Sequence, residues 1–296
     1  MNTGNNMGKQ MERHPCFSEK AHKKFSRLHV PVAPKCNIGC NYCVRKYDCV
    51  NESRPGVTSR VLTPAEAVER AQLAAERTGS LSVVGIAGPG DPLANEATFE
   101  TLRLLKKELP ELATCVSTNG LLLPDRLADL LSCGLKSLTI TINALTSRTA
   151  EKIYAYVSYD GKKMLADRKA AERLLTAQWN GLRDAIDAGL PVKVNTLYIP
   201  GVNEDEIRHI AFQAANMGAT IMNIMPLIPQ GAFSSIKRPD CKMMDRMRDA
   251  CRLHIPVMTH CKQCRADAFG LLGEDKDVEL EVLNANIGED YCDMVF

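Results

Sequence analysis

The sequence lacks the features that would direct a chain to a membrane, to secretion or to a polyanion. It has no apolar run of about 18 residues, so no transmembrane helix is expected. Residues 1–15, MNTGNNMGKQMERHP, are polar and lack the apolar core of a signal peptide. The 37 basic and 35 acidic residues leave a net charge of +2, which argues against nucleic-acid or membrane-surface binding driven by bulk charge. We therefore expect a cytoplasmic protein with no nucleic-acid or membrane partner.

Internal repeats and low-complexity tracts are also absent from the sequence. With 296 residues, of which 45% are hydrophobic, the chain is long enough for one large or two small domains with a buried core. What the sequence has in excess is cysteine, with twelve residues. In a chain that is not exported, clustered cysteines more often bind metal or take part in redox chemistry than form disulfides.

The densest cysteine cluster is CNIGCNYC, at residues 36–43, which contains Cys36, Cys40 and Cys43. Four thiolates would close a tetrahedral zinc site or ligate all four irons of a cubane cluster. Three thiolates leave one corner of a cubane open, and an open corner is available for chemistry. Four other cysteines are given no function, and the first two of them lie in helical patterns typical of buried core thiols: Cys133, Cys251, Cys241 and Cys292.

Strand-like and helix-like segments alternate along most of the chain. Thr63, followed by Pro64 and Glu66, predicts a helix start with a capping box. A longer helical region is predicted over 146–188, with a polar break at YDGKKM. The strand segments are apolar and rich in Val, Ile and Thr, as expected of parallel strands covered on both faces. The predicted strands are 28–33, 81–87, 113–118, 137–143, 191–199 and 219–227.

Six strand–helix repeats are fewer than the eight of a closed TIM barrel. The sequence therefore predicts an α/β fold in which residues 28–256 form a partial (β/α)6 TIM barrel. Residues 1–27 and 257–296 lie outside the repeat and are predicted to be cysteine-bearing N- and C-terminal extensions. In parallel α/β folds the active site lies at the carboxyl ends of the strands. That rim is predicted to hold the cysteine motif, AGPGDP (87–92), STNG (117–120), Asn143 and Asn195.

The motif Cys36-x-x-x-Cys40-x-Tyr42-Cys43, placed after a first strand, resembles the signature of the radical S-adenosylmethionine (SAM) superfamily. The resemblance implies a [4Fe-4S] cluster whose open iron binds SAM. Reduction then cleaves SAM to methionine and a 5′-deoxyadenosyl radical. The alternative interpretation of these three cysteines is a zinc knuckle. AGPGDP stands where the superfamily has a Gly-Gly-Glu type motif, with Asp91 at the acidic position. The residues implied in cofactor binding are Tyr42, Gly88, Gly90, Asp91, Ser117, Asn119, Asn143 and Asn195.

Three further segments narrow the resemblance. HPC at 14–16, CVNESRPGV at 49–57 and HCKQC at 260–264 together resemble the NifB family of nitrogenase cofactor maturases, over about residues 14–270. The resemblance is to its short, stand-alone members, because no further cofactor-binding domain follows the last of these segments. The family implies two additional [4Fe-4S] clusters. Their implied ligand sets are Cys16, Cys261 and Cys264 for one cluster, and His29, Cys49 and Cys115 for the other.

The resemblance also implies a reaction. SAM donates a methyl group to a cluster sulfide, and a deoxyadenosyl radical removes a hydrogen from it. Further loss of hydrogens leaves the carbon as the central carbide of an [8Fe-9S-C] cluster while the two clusters couple. Cluster donors, a reductant and the carrier or scaffold proteins of nitrogenase assembly are the implied partners. An anaerobic cytoplasm and a monomeric chain are expected.

Alternatives remain open for several of these residues. Taken alone, Cys261-x-x-Cys264 is equally typical of half a zinc site or of a redox pair, and Cys115 is typical of a core thiol. A histidine such as His29 is more often structural than a ligand. Two residues of the CVNES turn are interpreted either as catalytic, proton-handling groups or as a turn only: Asn51 and Glu52. Two further histidines flank Cys16 and are alternative ligands: His14 and His22.

Two other functions also remain open. One is a radical SAM enzyme that acts on an organic or peptide substrate and uses the outer cysteines for auxiliary clusters. The other is a non-catalytic carrier of iron–sulfur clusters or zinc, which would produce neither methionine nor 5′-deoxyadenosine from SAM.

Overall fold

The computed structural model describes residues 12–49, 60–165 and 167–276. Its main element is an eight-stranded sheet with the strand order β11-β10-β1-β3-β4-β5-β8-β9. The eleven strands are β1 (Ser26–His29), β2 (Ile38–Cys40), β3 (Leu81–Ile86), β4 (Ala113–Thr118), β5 (Ser137–Thr141), β6 (Tyr154–Tyr159), β7 (Lys162–Leu165), β8 (Val192–Tyr198), β9 (Ile221–Pro226), β10 (Phe269–Leu271) and β11 (Glu274–Lys276).

Six consecutive strands of the main sheet, from β1 to β9 in sheet order, are parallel to one another. They correspond to the six predicted strands, and the partial barrel is confirmed. Helices connect successive strands, and β3, β5 and β8 are buried throughout, so both faces of the sheet are covered. The helices are α1 (Pro64–Thr78), α2 (Glu96–Glu108), α3 (Leu123–Ser132), α4 (Ser147–Ile153), α5 (Arg168–Asp187), α6 (Glu204–Met217) and α7 (Cys241–Arg252).

The start of α1 has the predicted capping box. Glu66 donates its backbone N–H to Thr63 Oγ1 at 3.3 Å, and Thr63 donates its own N–H to Glu66 Oε2 at 2.8 Å. The helix ends at Gly79, whose φ of 59° is in the left-handed region that glycine adopts without steric cost. Its buried side chains are mostly small, which allows close packing against the sheet. None of the described helices is long and apolar enough to cross a membrane.

The prediction of one long helical region over 146–188 is wrong. Between α4 and α5 the chain forms the antiparallel hairpin β6–β7. The turn residues Asp160 and Gly161 have φ values of 50° and 70°, as the tight turn of a twisted hairpin requires. Strand β6 also pairs antiparallel with β2, and Cys40 lies opposite Tyr154. The middle of the cysteine motif, residues 38–40, is therefore one strand of a small three-stranded sheet rather than an unsupported loop.

Part of the predicted C-terminal extension continues the main sheet. Strand β10 pairs antiparallel with β1, with Arg27 opposite Gly270 and Leu28 opposite Phe269, and β11 adds to its outer side. These two short strands were not predicted. The pairing brings residues near 264 next to β1, although more than 230 residues separate them in sequence.

The isolated helical cysteines are where their patterns indicate. Cys133 and Cys251 are fully buried among apolar side chains of the main core, while Cys241 is exposed at the start of α7. Cys292 lies outside the described residues.

Candidate functional site

Two adjoining cavities lie inside and at the rim of the partial barrel. The first is lined by the cysteine motif and by residues at the carboxyl ends of β3, β4 and β5. The second lies along the inner faces of the strands. Ala87 and Ser117 line both cavities, so the two share a wall.

The three cysteines of the motif meet at the first cavity. Cys36, Cys40 and Cys43 all line it, and Cys43 donates its N–H to the carbonyl of Cys40 at 3.0 Å. Tyr42 is buried behind them, where its hydroxyl accepts a hydrogen bond from Asn143 Nδ2 at 2.8 Å. This contact anchors the motif to the end of β5, while the β6 pairing holds its other side.

Burial disfavours the ionised form of each thiol of the motif. It raises the pKa of Cys36 to about 11, raises that of Cys40 well above its ordinary value, and raises that of Cys43. The nearby guanidinium of Arg45 acts in the opposite direction on all three. Thiolates are the form that binds iron, and the positive charge of bound iron ionises a coordinating thiol outright. Three half-buried thiols that line one cavity beside one cation therefore fit an iron–sulfur cluster.

Asp91 stabilises the rim of the first cavity. Its buried carboxylate accepts hydrogen bonds from Asn119 N at 2.6 Å, Thr118 Oγ1 at 2.9 Å and Leu93 N at 3.0 Å. Burial raises the pKa of Asp91 to about 6, against the effect of these hydrogen bonds. Its carboxylate thus ties the loop after β3 to the end of β4.

Gly90 allows two loops of the first cavity to approach each other. Its N–H donates to the carbonyl of Ala33 at 2.6 Å, and a Cβ at this position would overlap the carbonyl of Lys35. Gly88 faces a different neighbour, since a Cβ there would lie 3.3 Å from Ala266 of the C-terminal extension. The glycines of AGPGDP therefore serve backbone packing next to the cysteine motif.

The second cavity is lined at every other residue of the strands, as the inner face of a barrel should be. Polar, charged and cysteine side chains line this inner face together with a smaller number of large apolar side chains. Among the described residues, no group of three His, Cys, Asp or Glu side chains is arranged around a single metal ion. The strand residues that line it include Gly85, Cys115, Thr139, Lys193, Asn195 and Asn223.

Most of the predicted outer ligands meet in this second cavity. The N-terminal arm, β1, β4 and the C-terminal extension each contribute to its wall. Cys49 differs, because it lines the first cavity together with the cysteine motif. The predicted ligands that line the second cavity are Cys16, His29, Cys115, Cys261 and Cys264.

Polar side chains contact the cysteines at the ends of the chain. Arg27 Nη2 donates to Cys264 Sγ at 3.1 Å, and Asn223 Nδ2 donates to Cys261 Sγ at 3.2 Å. Burial raises the pKa of Cys16 to about 12, although the positive charge of Lys193 opposes this. The cavity thus supplies two buried cations and amide donors, an environment suited to an anionic, sulfur-rich occupant.

The geometry of His29 suits metal ligation. Its Nδ1 lies 3.0 Å from the carbonyl oxygen of Arg265, and a carbonyl oxygen only accepts, so Nδ1 carries the proton. The lone pair is then on Nε2, and ligating histidines typically have this support from a backbone carbonyl. A Cβ at Gly85 would come within 2.9 Å of the His29 ring, so glycine leaves room for it.

His22 is held away from both cavities. Its ring stacks on that of His260, with centroids 4.6 Å apart and planes 10° apart. His260 in turn donates from Nε2 to the carbonyl of Pro15 at 2.9 Å. The pair joins the N-terminal arm to the C-terminal extension, which is a structural role.

Comparison with known proteins identifies the family. The radical SAM superfamily matches residues 30–214. The chain belongs to this superfamily. Membership implies a [4Fe-4S] cluster and SAM as cofactors, and confirms the resemblance seen in the cysteine motif.

Among curated radical SAM relatives, the chain is similar to the FeMo cofactor biosynthesis proteins NifB. It is 46% identical over 279 residues to that of Klebsiella pneumoniae, covering 92% of this chain and 59% of the relative. It is 44% identical over 273 residues to that of Chlorobaculum tepidum, covering 91% of this chain and 64% of the relative. The chain therefore spans about six tenths of the length of these relatives.

Two solved structures share the fold. Streptococcus suis SuiB matches with a TM-score of 0.58 at 12% identity, covering 88% of this chain and 54% of that chain. A radical SAM methyltransferase from Sphaerobacter thermophilus matches with a TM-score of 0.53 at 23% identity, covering 79% of this chain and 64% of that chain. At these identities the matches establish the fold alone.

The residues predicted to bind SAM are distributed unevenly. Tyr42, Gly90, Asp91 and Asn119 line the first cavity, and Ser117 lines both. The other three are placed elsewhere: Asn195 lines the second cavity, whereas Gly88 and Asn143 are outside the lining of either. Two predicted catalytic residues lie outside the described residues: Asn51 and Glu52.

Three site residues of this radical SAM chain were not predicted. Lys193 had a signal, because a lysine within the apolar strand VKVNTLY is unusual unless it faces a polar interior. Arg27 and Asn223 had none, since their roles depend on sulfur atoms that only the fold brings near them.

Proposed function

We propose that this chain is a radical SAM maturase that inserts a SAM-derived carbon as carbide while joining two [4Fe-4S] clusters and one further sulfur atom, supplied by a separate sulfur donor, into the [8Fe-9S-C] precursor of the nitrogenase cofactor. One observation carries the proposal. A cavity with cysteine and histidine residues from four separate segments shares a wall with the cavity of the radical SAM motif. The similarity to the NifB proteins of FeMo cofactor biosynthesis supports it.

The first cavity fits the resident cofactors of the superfamily. Cys36, Cys40 and Cys43 would hold the cluster. Ser117 Oγ is buried, finds no hydrogen-bond partner among the described residues, and lies on the shared wall, where a bound ligand would satisfy it. When bound, the cluster and SAM supply methyl transfer and hydrogen-atom abstraction.

The second cavity would hold the two substrate clusters. Cys16, Cys261 and Cys264 from the chain ends would bind one of them. His29 and Cys115 from the strands would bind the other, with Cys49 reaching it from the first cavity. An imidazole binds such a cluster less tightly than a thiolate does, which suits a cluster that must be released as product.

The buried charges of the second cavity fit thiolate-ligated clusters, which are anionic. Arg27 and Lys193 are both buried, and the ionised form of each side chain carries a positive charge. Cations in a low-dielectric cavity offset the negative charge of such an occupant more strongly than they would in water. They would also hold two like-charged clusters near each other before they fuse.

The reaction would need other proteins. Cluster donors would fill the second cavity, a reductant would supply electrons to the first, and carrier or scaffold proteins of nitrogenase assembly would accept the product. We propose that the chain acts as a monomer. We also propose that it acts in an anaerobic cytoplasm, because exposed iron–sulfur clusters are oxygen-labile.

Two measurements test the proposal. Anaerobically reconstituted protein should hold about twelve irons, as three cubanes of four, and Cys36→Ala/Cys40→Ala/Cys43→Ala protein should hold about eight. Iron that saturates near four in the wild type would contradict the proposal. With SAM labelled at the methyl carbon, the label should appear in the cluster extracted from the protein. Label found only in an organic or peptide product would support the alternative radical SAM function.

A further inference from the structure

His14 is a buried imidazole in the wall of the second cavity for which the ligand sets above have no use. Its side chain is 3% exposed and lines the cavity. Nδ1 accepts the backbone N–H of Cys16 at 3.2 Å, and the ring packs edge-on against Phe17 with centroids 4.6 Å apart. The ring orientation is therefore fixed on two sides by the turn that carries Cys16.

The contact with Cys16 determines the tautomer of His14. A backbone N–H can only donate, so Nδ1 must present its lone pair and the ring proton is on Nε2. This Nε2 is buried and finds no hydrogen-bond partner among the described residues. A buried donor without a partner is rare in native proteins and indicates a partner supplied by a ligand.

His14 and His29 thus present opposite groups to the same cavity. The Nδ1–H of His29 donates to the Arg265 carbonyl, which places the ring lone pair on Nε2, the arrangement typical of a ligating histidine. In His14 the contact is reversed, and Nε2 is an N–H donor. An iron bond from His14 Nε2 would require a proton on Nδ1, which would then face the N–H of Cys16, donor against donor.

We propose that His14 binds the substrate cluster held by Cys16 through an Nε2–H···S hydrogen bond to one of its sulfides, and that it is not an iron ligand. The identity of the occupant rests on the proposed function. A cluster sulfide is an anionic acceptor, and it satisfies the only ring atom of His14 that the protein leaves without a partner among the described residues. Hydrogen bonds to cluster sulfurs raise the reduction potential of the cluster.

Two substitutions separate the donor from the rest of the ring. His14→Asn places an amide oxygen where Nδ1 accepts from Cys16, but it has no donor at the position of Nε2. His14→Gln extends an amide N–H toward the position of Nε2. His22→Asn is the matched control, because this half-buried histidine stacks on His260 outside both cavities.

Full-length variants are loaded anaerobically with iron and sulfide on the Cys36→Ala/Cys40→Ala/Cys43→Ala background, so that only the outer clusters are observed. Iron per chain is counted, and the reduction potentials are measured by EPR-monitored titration. We expect His14→Asn to keep its iron while the potential of one cluster becomes more negative. We expect His14→Gln to be closer to the parent, and His22→Asn to be unchanged. Potentials in His14→Asn equal to those of the parent would overturn the inference.

A second readout distinguishes a hydrogen bond from a bond to iron. With ¹⁵N-labelled histidine, pulsed EPR should show one strong nitrogen coupling, which is lost in His29→Ala and kept in His14→Asn. A strong coupling that disappears in His14→Asn would identify His14 as an iron ligand and overturn the inference. The methyl-label experiment on wild-type protein decides the proposed function separately. Label absent from the cluster, with the His14 results as expected, would reject the reaction and retain the hydrogen bond.

Discussion

Arg27 and Cys264 are joined by a buried hydrogen bond, from the guanidinium Nη2 to the cysteine sulfur, at 3.1 Å. Nη1 of the same guanidinium donates to the carbonyls of Gly270 and Leu271 at 2.6 and 3.0 Å. One side chain of β1, only 1% exposed, therefore fixes both strand β10 and a proposed cluster ligand. The added strand and the site are parts of a single arrangement.

Arg27→Met should weaken both parts together. The substitution removes these three hydrogen bonds and takes the Arg27 donor from the buried carbonyl of Gly270 and the half-buried carbonyl of Leu271, which we expect to lower the free energy of unfolding by about 3 kcal/mol. Reconstituted protein should also lose about four irons. Arg27→Lys keeps the charge without the planar fork and should recover only part of the stability. Urea unfolding with iron analysis measures both, and a full complement of iron in a destabilised Arg27→Met would show that the contact serves the fold alone.

Two thiols in different surroundings offer a matched pair: Cys115, which is half-buried, and Cys133, which is buried. Cys115 lines the second cavity, whereas Cys133 is enclosed in the apolar core. Cys115→Ala should lose about four irons at nearly unchanged stability. Cys133→Ala should keep all its iron and lose about 1 kcal/mol of stability, because it leaves a small cavity. Equal iron contents in the two variants would return Cys115 to the role of a core thiol.

The β6–β7 hairpin should control the lability of the radical SAM cluster, because β6 pairs with β2 of the cysteine motif. Gly161 has a φ of 70°, and no described heavy atom lies within 4 Å of a Cβ placed there, so Gly161→Ala introduces backbone strain alone. We expect it to cost about 1 kcal/mol and to speed the loss of iron to a chelator. Gly189→Ala is the control, with a φ of 83° and equally open space. Equal rates of iron loss in the two variants would show that the hairpin does not control the lability of the radical SAM cluster.

Glu206 should make stability depend on pH. Its carboxylate accepts hydrogen bonds from the Thr149 hydroxyl at 2.8 Å and from Leu145 N at 2.6 Å, which ties α6 to the start of α4. Burial alone would raise the pKa of Glu206, but the hydrogen bonds from Thr146, Leu145 and Thr149 outweigh it and lower the pKa below its ordinary value of 4.5. The stabilisation is therefore complete above pH 4.5 and is lost as the pH falls through the lower folded-state pKa.

At pH 7, Glu206→Gln should accordingly have a free energy of unfolding about 1 kcal/mol lower than that of the wild type, and it should unfold at a lower temperature. This difference should shrink as the pH falls below 4.5. Thermal unfolding followed by circular dichroism over this range provides the measurement, with Glu100→Gln on the exposed face of α2 as the control. A difference that stays constant with pH would rule out the carboxylate as its source.

Much of the fold could be predicted from the sequence because its signals are local. The six parallel strands are runs of β-branched and apolar residues, and the start of α1 is encoded within four residues. The hairpin was missed because YAYVSY and KKML lie between two strongly helical segments, and the Asp-Gly signal at 160–161 was interpreted only as a break. Strands β10 and β11 are three residues each, too short for any periodicity to show.

Some features of the site could likewise be predicted from local sequence, and others could not. The spacing of Cys36, Cys40 and Cys43 is local and was sufficient to predict their joint placement. The tautomers of His14 and His29 were beyond prediction, because that of His29 depends on the carbonyl of Arg265, 236 residues away. The second cavity is also not evident in the sequence, since it is assembled from alternate residues of separate strands.

The most direct test of the central claim follows one carbon atom. Wild-type protein, loaded with three clusters and supplied with reductant and SAM labelled at the methyl carbon, is allowed to react, and its outer clusters are then extracted and analysed. The proposed function predicts label inside the extracted cluster from wild-type protein and none from Cys36→Ala/Cys40→Ala/Cys43→Ala protein. An unlabelled cluster from wild-type protein that has consumed SAM would contradict it.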